Sequence, residues 1–396
     1  MLRKSDCHFD VLVAGAGLMG SAAARHLAQA GAKVALVGPK EPNDKGSHNG
    51  VFASHYDQAR ITRRLDSSLV WSRLASASID RYRDIEKAAK RRFFHPVGAL
   101  MAGPETGAEA NFILNTSRIG QDENIAFESL RDDALKARFP YFDFPAGILG
   151  LYEPNDAGWI NPREHIAAEI ACATQSDTVL FDTEVTEIND IGGHVMAICH
   201  DGAKITATKA IIACGAFSKA AGLLPNPISL DVFARTIAFV EIDPQETQRL
   251  NGMPSLVYRP PSQTDGPYVL PPVVYPDGKT YIKIGGDPHD VLLDTTADVK
   301  NWFKTDGDAE TGEYLVNLLT KLMPGLRYRS TSTDSCVTSF TPTGRPLIHP
   351  QTDRVFALTG GNGASAKCAD EIGRLAAQLV QDGTIPEDGY QAGFTP

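Results

Sequence analysis

The chain has 396 residues, 42% of them hydrophobic and 22% charged, with a formal net charge of −10. That length suffices for two domains with cores of their own, and the composition is ordinary for a globular enzyme. The negative balance argues against nucleic acid and anionic membrane surfaces as partners, and no apolar run approaches the roughly 18–20 residues of a membrane span.

Residues 11–14 are predicted as a strand buried on both faces. Gly15, Gly17 and Gly20 then form a GxGxxG, followed by an alanine-rich helix to about Ala30, a stop at Gly31 and a second parallel strand over 33–37. The first glycine permits the tight turn, the second lets backbone approach a pyrophosphate, and the third lets helix and strand pack closely. The helix N-terminus would face the phosphates of a dinucleotide. The fingerprint wants Asp or Glu at the end of the second strand for the adenosine ribose, and Gly38 stands there. Either Glu41 reaches in, or backbone and water hold the ribose.

Residues 43–58 read as a loop, closed by the basic run from Arg60 to Arg64. A helix follows over 67–90, then a strand over 95–101 and short helices to about Pro154. Asn161 caps a helix with Pro162 in its first turn, and strands are predicted at 178–181, 184–188, 195–198 and 209–217. From 228 to 334 the sequence turns β-rich, with a helix near 307–322; a buried strand at 354–359, a Gly turn and a helix over 365–380 close the chain. The pattern implies an α/β protein of two interleaved domains. A Rossmann-like cofactor domain would comprise 1–95, 155–227 and 335–396, and a mixed-sheet substrate domain 96–154 and 228–334. Six cysteines (Cys7, Cys172, Cys199, Cys214, Cys336, Cys368) lack metal-ligand spacing, so no metal is expected, and free thiols fit a reducing cytoplasm. The polar start, running straight into the first strand, gives no signal-peptide pattern.

Four separated motifs add a family. They are the N-terminal GAGLMG, Gly46-Ser47-His48 with Arg60-Ile61-Thr62-Arg63, Ile282-Lys283-Ile284-Gly285, and Cys336 with Thr341-Pro342 and GNGASAK at 361–367. In this order and over nearly the whole length, the chain resembles the flavin amine oxidases of the D-amino-acid-oxidase superfamily, most closely the monomeric sarcosine oxidase and N-methyl amino acid oxidase group. The resemblance implies FAD in place of NAD and a monomer. It also implies hydride transfer from the carbon beside an amine nitrogen of an amino acid or N-alkyl amino acid, with O2 reduced to hydrogen peroxide. A dehydrogenase using another acceptor and a non-catalytic flavin-binding subunit are the competing readings.

On residue type alone, Cys336 reads as a buried structural thiol. The resemblance implies instead a thioether to the flavin 8α-methyl carbon. Lys283 reads as a strand residue facing water, or as a lysine buried for a purpose; the resemblance puts it over the flavin near N5, where its charge promotes reaction with oxygen. Arg60 and Arg63 could be a solvated basic surface. The resemblance stacks Arg60 near the flavin and makes Arg63, with Lys367, a clamp for a substrate carboxylate. Gly361, Asn362, Gly363 and Ala364 would open a helix whose positive end stabilises the reduced flavin. Val185 is assigned to the cofactor and Tyr268 to the substrate pocket.

Three positions depart from the family pattern. Ser47-His48 is assigned to the flavin, with Ser54-His55 as the alternative pair in a longer loop. Asp287 replaces a histidine, and Thr338 an aromatic residue. Asp287 then either faces a second, cationic group on a larger amino-acid-like substrate or is a turn residue beside Pro288.

Overall fold

A computed structural model describes residues 8–261, 266–386 and 389–396 of the chain, so Cys7 lies outside the described residues. The strand His8–Ala14 pairs in parallel with Val34–Val37 on one side and Lys204–Ile212 on the other. Thr178–Phe181 extends this sheet in parallel beyond Val34–Val37, and Val355–Thr359 lies parallel to Lys204–Ile212. Val185–Asp190 and Val195–Cys199 join as an antiparallel meander, completing eight strands with Leu347–Pro350. The central strands are runs of Val, Ile, Leu and Ala because helices cover one face of the sheet while Val185, Val195, Ala197 and Leu223 pack against the other. Those helices are Leu18–Gln29, Pro162–Gln175 and Ala369–Asp382. The first and last approach closely at Gly373, where a Cβ would come within 2.6 Å of Ala22 Cβ.

A second sheet of nine strands draws on residues between 99 and 340. Its long member Asp231–Ile242 pairs antiparallel with Ser330–Phe340 on one side and Thr280–Gly285 on the other, and Tyr268–Val274 follows. Helix Ala309–Leu322 packs Leu315, Leu319 and Leu322 onto it. A small third sheet joins Arg60–Thr62, Gly158–Ile160 and Phe94–His95.

The architecture is α/β with interleaved segments, and three expected boundaries differ. The predicted strand over 95–101 is broken at Gly98, whose φ of +85° is left-handed, into Phe94–His95 and Ala99–Pro104. The C-terminal helix begins as a 3-10 turn, Ser365–Cys368, before Ala369–Asp382. The boundary at 335 falls inside the strand Ser330–Phe340, so Cys336 is carried by the second sheet. Among the described residues no helix is long and apolar enough to cross a membrane, and no cluster of His, Cys, Asp and Glu could hold a metal.

Candidate active site

A cavity of about 830 Å3 starts at the carboxyl ends of the parallel strands and runs to the face of the second sheet. That is where an open α/β sheet binds its ligand. At the near end, the three glycines of the GxGxxG act differently. A Cβ on Gly15 would come within 2.2 Å of Ala213 O, and one on Gly20 within 1.9 Å of Gly15 O, so both are demanded by packing. A Cβ on Gly17 would meet only His55 Nδ1, at 3.9 Å. Gly17 is the extended N-cap of helix Leu18–Gln29 and leaves bare backbone and the first helical amides facing the cavity.

Gly38 lines the same end, and a Cβ there would sit 2.6 Å from Ala16 N. No acidic side chain fits at that position. Glu41 is no substitute: its carboxylate is bidentate to Arg163 at 2.6 and 2.7 Å. Val185 does line the cavity beside Glu184, whose carboxylate accepts from Val51 N at 3.3 Å.

The loop over 43–58 brings Ser54 and His55, not Ser47 and His48, to the wall. Ser47 Oγ donates to Asp44 at 2.6 Å, and His48 bonds Val51 O at 3.0 Å with its ring against Phe52. The first pair is thus consumed in folding the loop on itself. Burial first, and then the Arg163 and Arg60 charges, push the His55 imidazole down to about 3, so it is neutral at physiological pH.

Further in, Arg60 Nη2 lies 3.6 Å from Cys336 Sγ, and both line the cavity. Trp302 Nε1 fixes the Cys336 carbonyl at 2.8 Å. Thr338 Oγ1 and Tyr56 Oη are buried at this wall without a hydrogen-bond partner. The Gly361–Ala364 turn also borders the space, but Asn362 does not: it adopts a left-handed φ of +47° and turns its side chain to Thr341 N and Gly360 O. The amides facing the cavity there precede the 3-10 turn and not a full helix.

Lys283 is also displaced from its expected place. Only 1% exposed, it does not line the cavity; its ammonium donates to Asp57 Oδ2 at 2.5 Å and to Ala59 O. Asp57 also pairs with Arg60, so Lys283 lies one side chain behind the wall. Burial, and then the neighbouring Arg60 charge, push the Lys283 ammonium well below the usual lysine range.

At the remaining wall Arg63 and Lys367 come together. Both meet one carboxylate, Asp66 Oδ2, at 3.3 and 3.2 Å. Burial opposes ionisation of Asp66, but Lys367 and Arg63 hold its carboxyl below the usual range. Tyr268 lines the cavity nearer Arg60, Cys336 and Asp287, its phenol pushed up to about 12 by burial. Asp287 lines the cavity and also ties the chain by accepting from Thr236 N at 2.7 Å; burial lifts its carboxyl to about 6.

The profile of the family described as FAD dependent oxidoreductase (DAO) matches residues 10–379. The chain belongs to this family. It is 23% identical over 392 residues to an N-methyl-L-tryptophan oxidase of Yersinia pestis (strain Pestoides F), covering 96% of this chain and 97% of that one. Among solved structures it resembles the open form of NikD, an unusual amino acid oxidase essential for nikkomycin biosynthesis, with a TM-score of 0.76, 20% identity and 98% and 97% of the two chains covered. It also resembles the fructosyl amine: oxygen oxidoreductase amadoriase I of Aspergillus fumigatus, with a TM-score of 0.72, 21% identity and coverage of 96% and 88%.

The cavity of this FAD dependent oxidoreductase suits its cofactor. The bare backbone at Gly17, the close-packed glycine turn and the partnerless Thr338 and Tyr56 hydroxyls are what a bound dinucleotide with a polar ring would meet. Asp57 and Asp66 escaped the sequence reading. Each is a lone acid in a loop, and its spacing of three from Arg60 or Arg63 was the available signal.

Proposed function

We propose that this oxidoreductase removes a hydride from the carbon beside the nitrogen of a carboxylate-bearing amine, and that O2 takes up the electrons to give hydrogen peroxide. The observation that carries this reading is the convergence of Arg63 and Lys367 on the cavity that also holds the GxGxxG loop and Cys336. Two cations sharing one carboxylate retain donors for a second, and an Arg fork matches a carboxylate bidentately. FAD supplies the two-electron acceptor chemistry; the residues that would hold it are Gly15, Gly17, Val185, Ser54, His55, Gly361, Gly363 and Ala364, while Gly20 only packs the turn and does not line the cavity.

The chain then contributes positioning and charge. Arg63 and Lys367 fix the substrate carboxylate, Tyr268 closes the pocket, and neutral His55 adds no charge beside the cofactor. No side-chain base is required if the amine binds neutral. Arg60 places a fixed positive charge beside Cys336, the sulfur that would form a thioether to the flavin. Asp287 supports a substrate with a second, cationic group. The N-methyl-L-tryptophan oxidase and the amino acid oxidase it resembles support this reading, and a cytoplasmic site of action fits the free thiols.

Acid precipitation tests the tether: yellow colour is expected in the pellet, and colour released to the supernatant would remove Cys336 from that role. A peroxide-coupled screen of amino acids and N-methyl amino acids tests the reaction. Peroxide from at least one carboxylate-bearing amine is expected, and equal turnover of the matching amine without a carboxylate would contradict the clamp.

A further inference from the structure

Asp57 is the hub of the buried charges behind the Cys336 end of the cavity. Its Oδ2 meets Lys283 Nζ at 2.5 Å and the Arg60 guanidinium, while Oδ1 accepts Tyr275 Oη at 2.9 Å and Gln58 N at 2.7 Å. Asp57 is 4% exposed and Lys283 1%, so neither charge is balanced by water. The groups facing the Lys283 ammonium are Asp57, Arg60 and Cys336, with Tyr275 bonded across Asp57. Of these only Asp57 brings a full negative charge while Cys336 is a thiol or a thioether. Without it the ammonium would lie beside a guanidinium in a dry pocket and lose its proton. A second cavity of about 110 Å3 touches Asp57, Arg60 and Cys336 and runs to the ion pair Glu41–Arg163, without reaching Arg63 or Lys367.

We propose that Asp57 is a positioning residue for the oxygen step: it opposes the loss of the Lys283 proton that burial and Arg60 favour, and anchors that charge behind Arg60. The proposal rests on the expectation, drawn from the family resemblance, that Lys283 serves the oxygen step. It assigns Lys283 a charge held by a neighbour, so the charge should disappear when the neighbour's charge does, although Lys283 itself is untouched.

Asp57→Asn keeps the shape and removes the charge. In stopped flow, reoxidation of the substrate-reduced enzyme by O2 is expected to slow at least about tenfold, while anaerobic reduction keeps its rate. The alkaline limb of the reoxidation profile is expected to move down by at least about one pH unit, because an opposite charge at contact distance shifts a pKa by that much. Asp57→Glu should recover part of both. A merely structural role would move neither the pH limb nor the split between the two half-reactions. Melting supplies a readout independent of turnover. Asp57→Asn should melt below wild type, and Asp57→Asn with Lys283→Met should melt above Asp57→Asn alone, since no buried amine is then left without its counter-ion. If Asp57→Asn does not fold, recovery of a folded protein by the added Lys283→Met supports the pairing equally. Slow reoxidation in Lys283→Met with normal rate and pH limb in Asp57→Asn would overturn this proposal alone. Lys283→Met reoxidising like wild type would overturn the oxygen reading and the proposal with it.

Discussion

Arg63 and Lys367 are held by the same Asp66 oxygen, at 3.3 and 3.2 Å, so the two cations stay together before any substrate arrives. Removing one of them weakens binding of a carboxylate and leaves Asp66 under-compensated. Arg63→Met is expected to raise KM for the carboxylate substrate at least about 30-fold, or about 2 kcal/mol. The flavin spectrum should be unchanged, and steady-state kinetics with an absorption spectrum check both. Asp287 sets a pH dependence. Its carboxyl is lifted to about 6, so it is charged above that value and neutral below it. For a substrate with a second cationic group, kcat/KM is expected to fall as pH drops through about 6, and Asp287→Asn should erase that inflection. Arg60, Arg63, Lys367, Tyr268 and Cys336 stand out in the sequence because each sits in a short motif, and all five line the cavity. Asp57 and Asp66 do not stand out, because a buried counter-ion is defined by what folds around it and not by a periodic pattern. The same absence misplaced Lys283, whose displacement behind the wall follows from Asp57, and it let Ser47-His48 stand for Ser54-His55.

The strand–turn–helix unit at the start was legible down to its glycines, since each glycine answers a backbone constraint. Gly38 shows where reading by fingerprint fails. The missing ribose acid looks like a defect to be repaired, yet a Cβ at 38 would come within 2.6 Å of Ala16 N and 2.7 Å of Ala16 Cβ. Gly38→Asp is therefore expected to destabilise the protein by about 1–3 kcal/mol without tightening FAD retention. Thermal melting and titration of flavin-depleted protein with FAD would check this, and a gain in affinity would show that the turn can yield. Other element-level differences have the same origin. Gly98 breaks a strand that apolar content alone joined, and Ser330–Phe340 begins in polar residues because only its later half is covered.

At the scale of the whole molecule, interleaving places the first and last segments of the chain against one another. Arg25 on helix Leu18–Gln29 meets Glu169 of Pro162–Gln175 at 2.5 Å and also pairs with Asp370 at the start of Ala369–Asp382. His26 and Arg81 converge on the same buried Asp370 at 2.9 and 2.5 Å. Burial opposes ionisation there, but His26, Arg25 and Arg81 hold the Asp370 carboxyl well below its ordinary 3.8. A depressed folded-state pKa stabilises above the unfolded value and loses that stabilisation as pH falls toward the folded one. Asp370→Asn is expected to cost about 3–5 kcal/mol at neutral pH, because it strands buried cations. Its stability should also depend less on pH below about 4, as measured by denaturant unfolding across pH. No sequence pattern announces this cluster, since its members are 344 or 345 positions apart for Asp370 with His26 and Arg25.

In the proposed reaction one cavity binds FAD and presents a carboxylate-bearing amine to it. Anaerobic mixing of the FAD-loaded protein with amino acids and N-methyl amino acids tests this most directly. The flavin absorbance is expected to bleach with at least one of them and to return when air is admitted, with hydrogen peroxide formed. A flavin that no such amine bleaches would rule out this reaction.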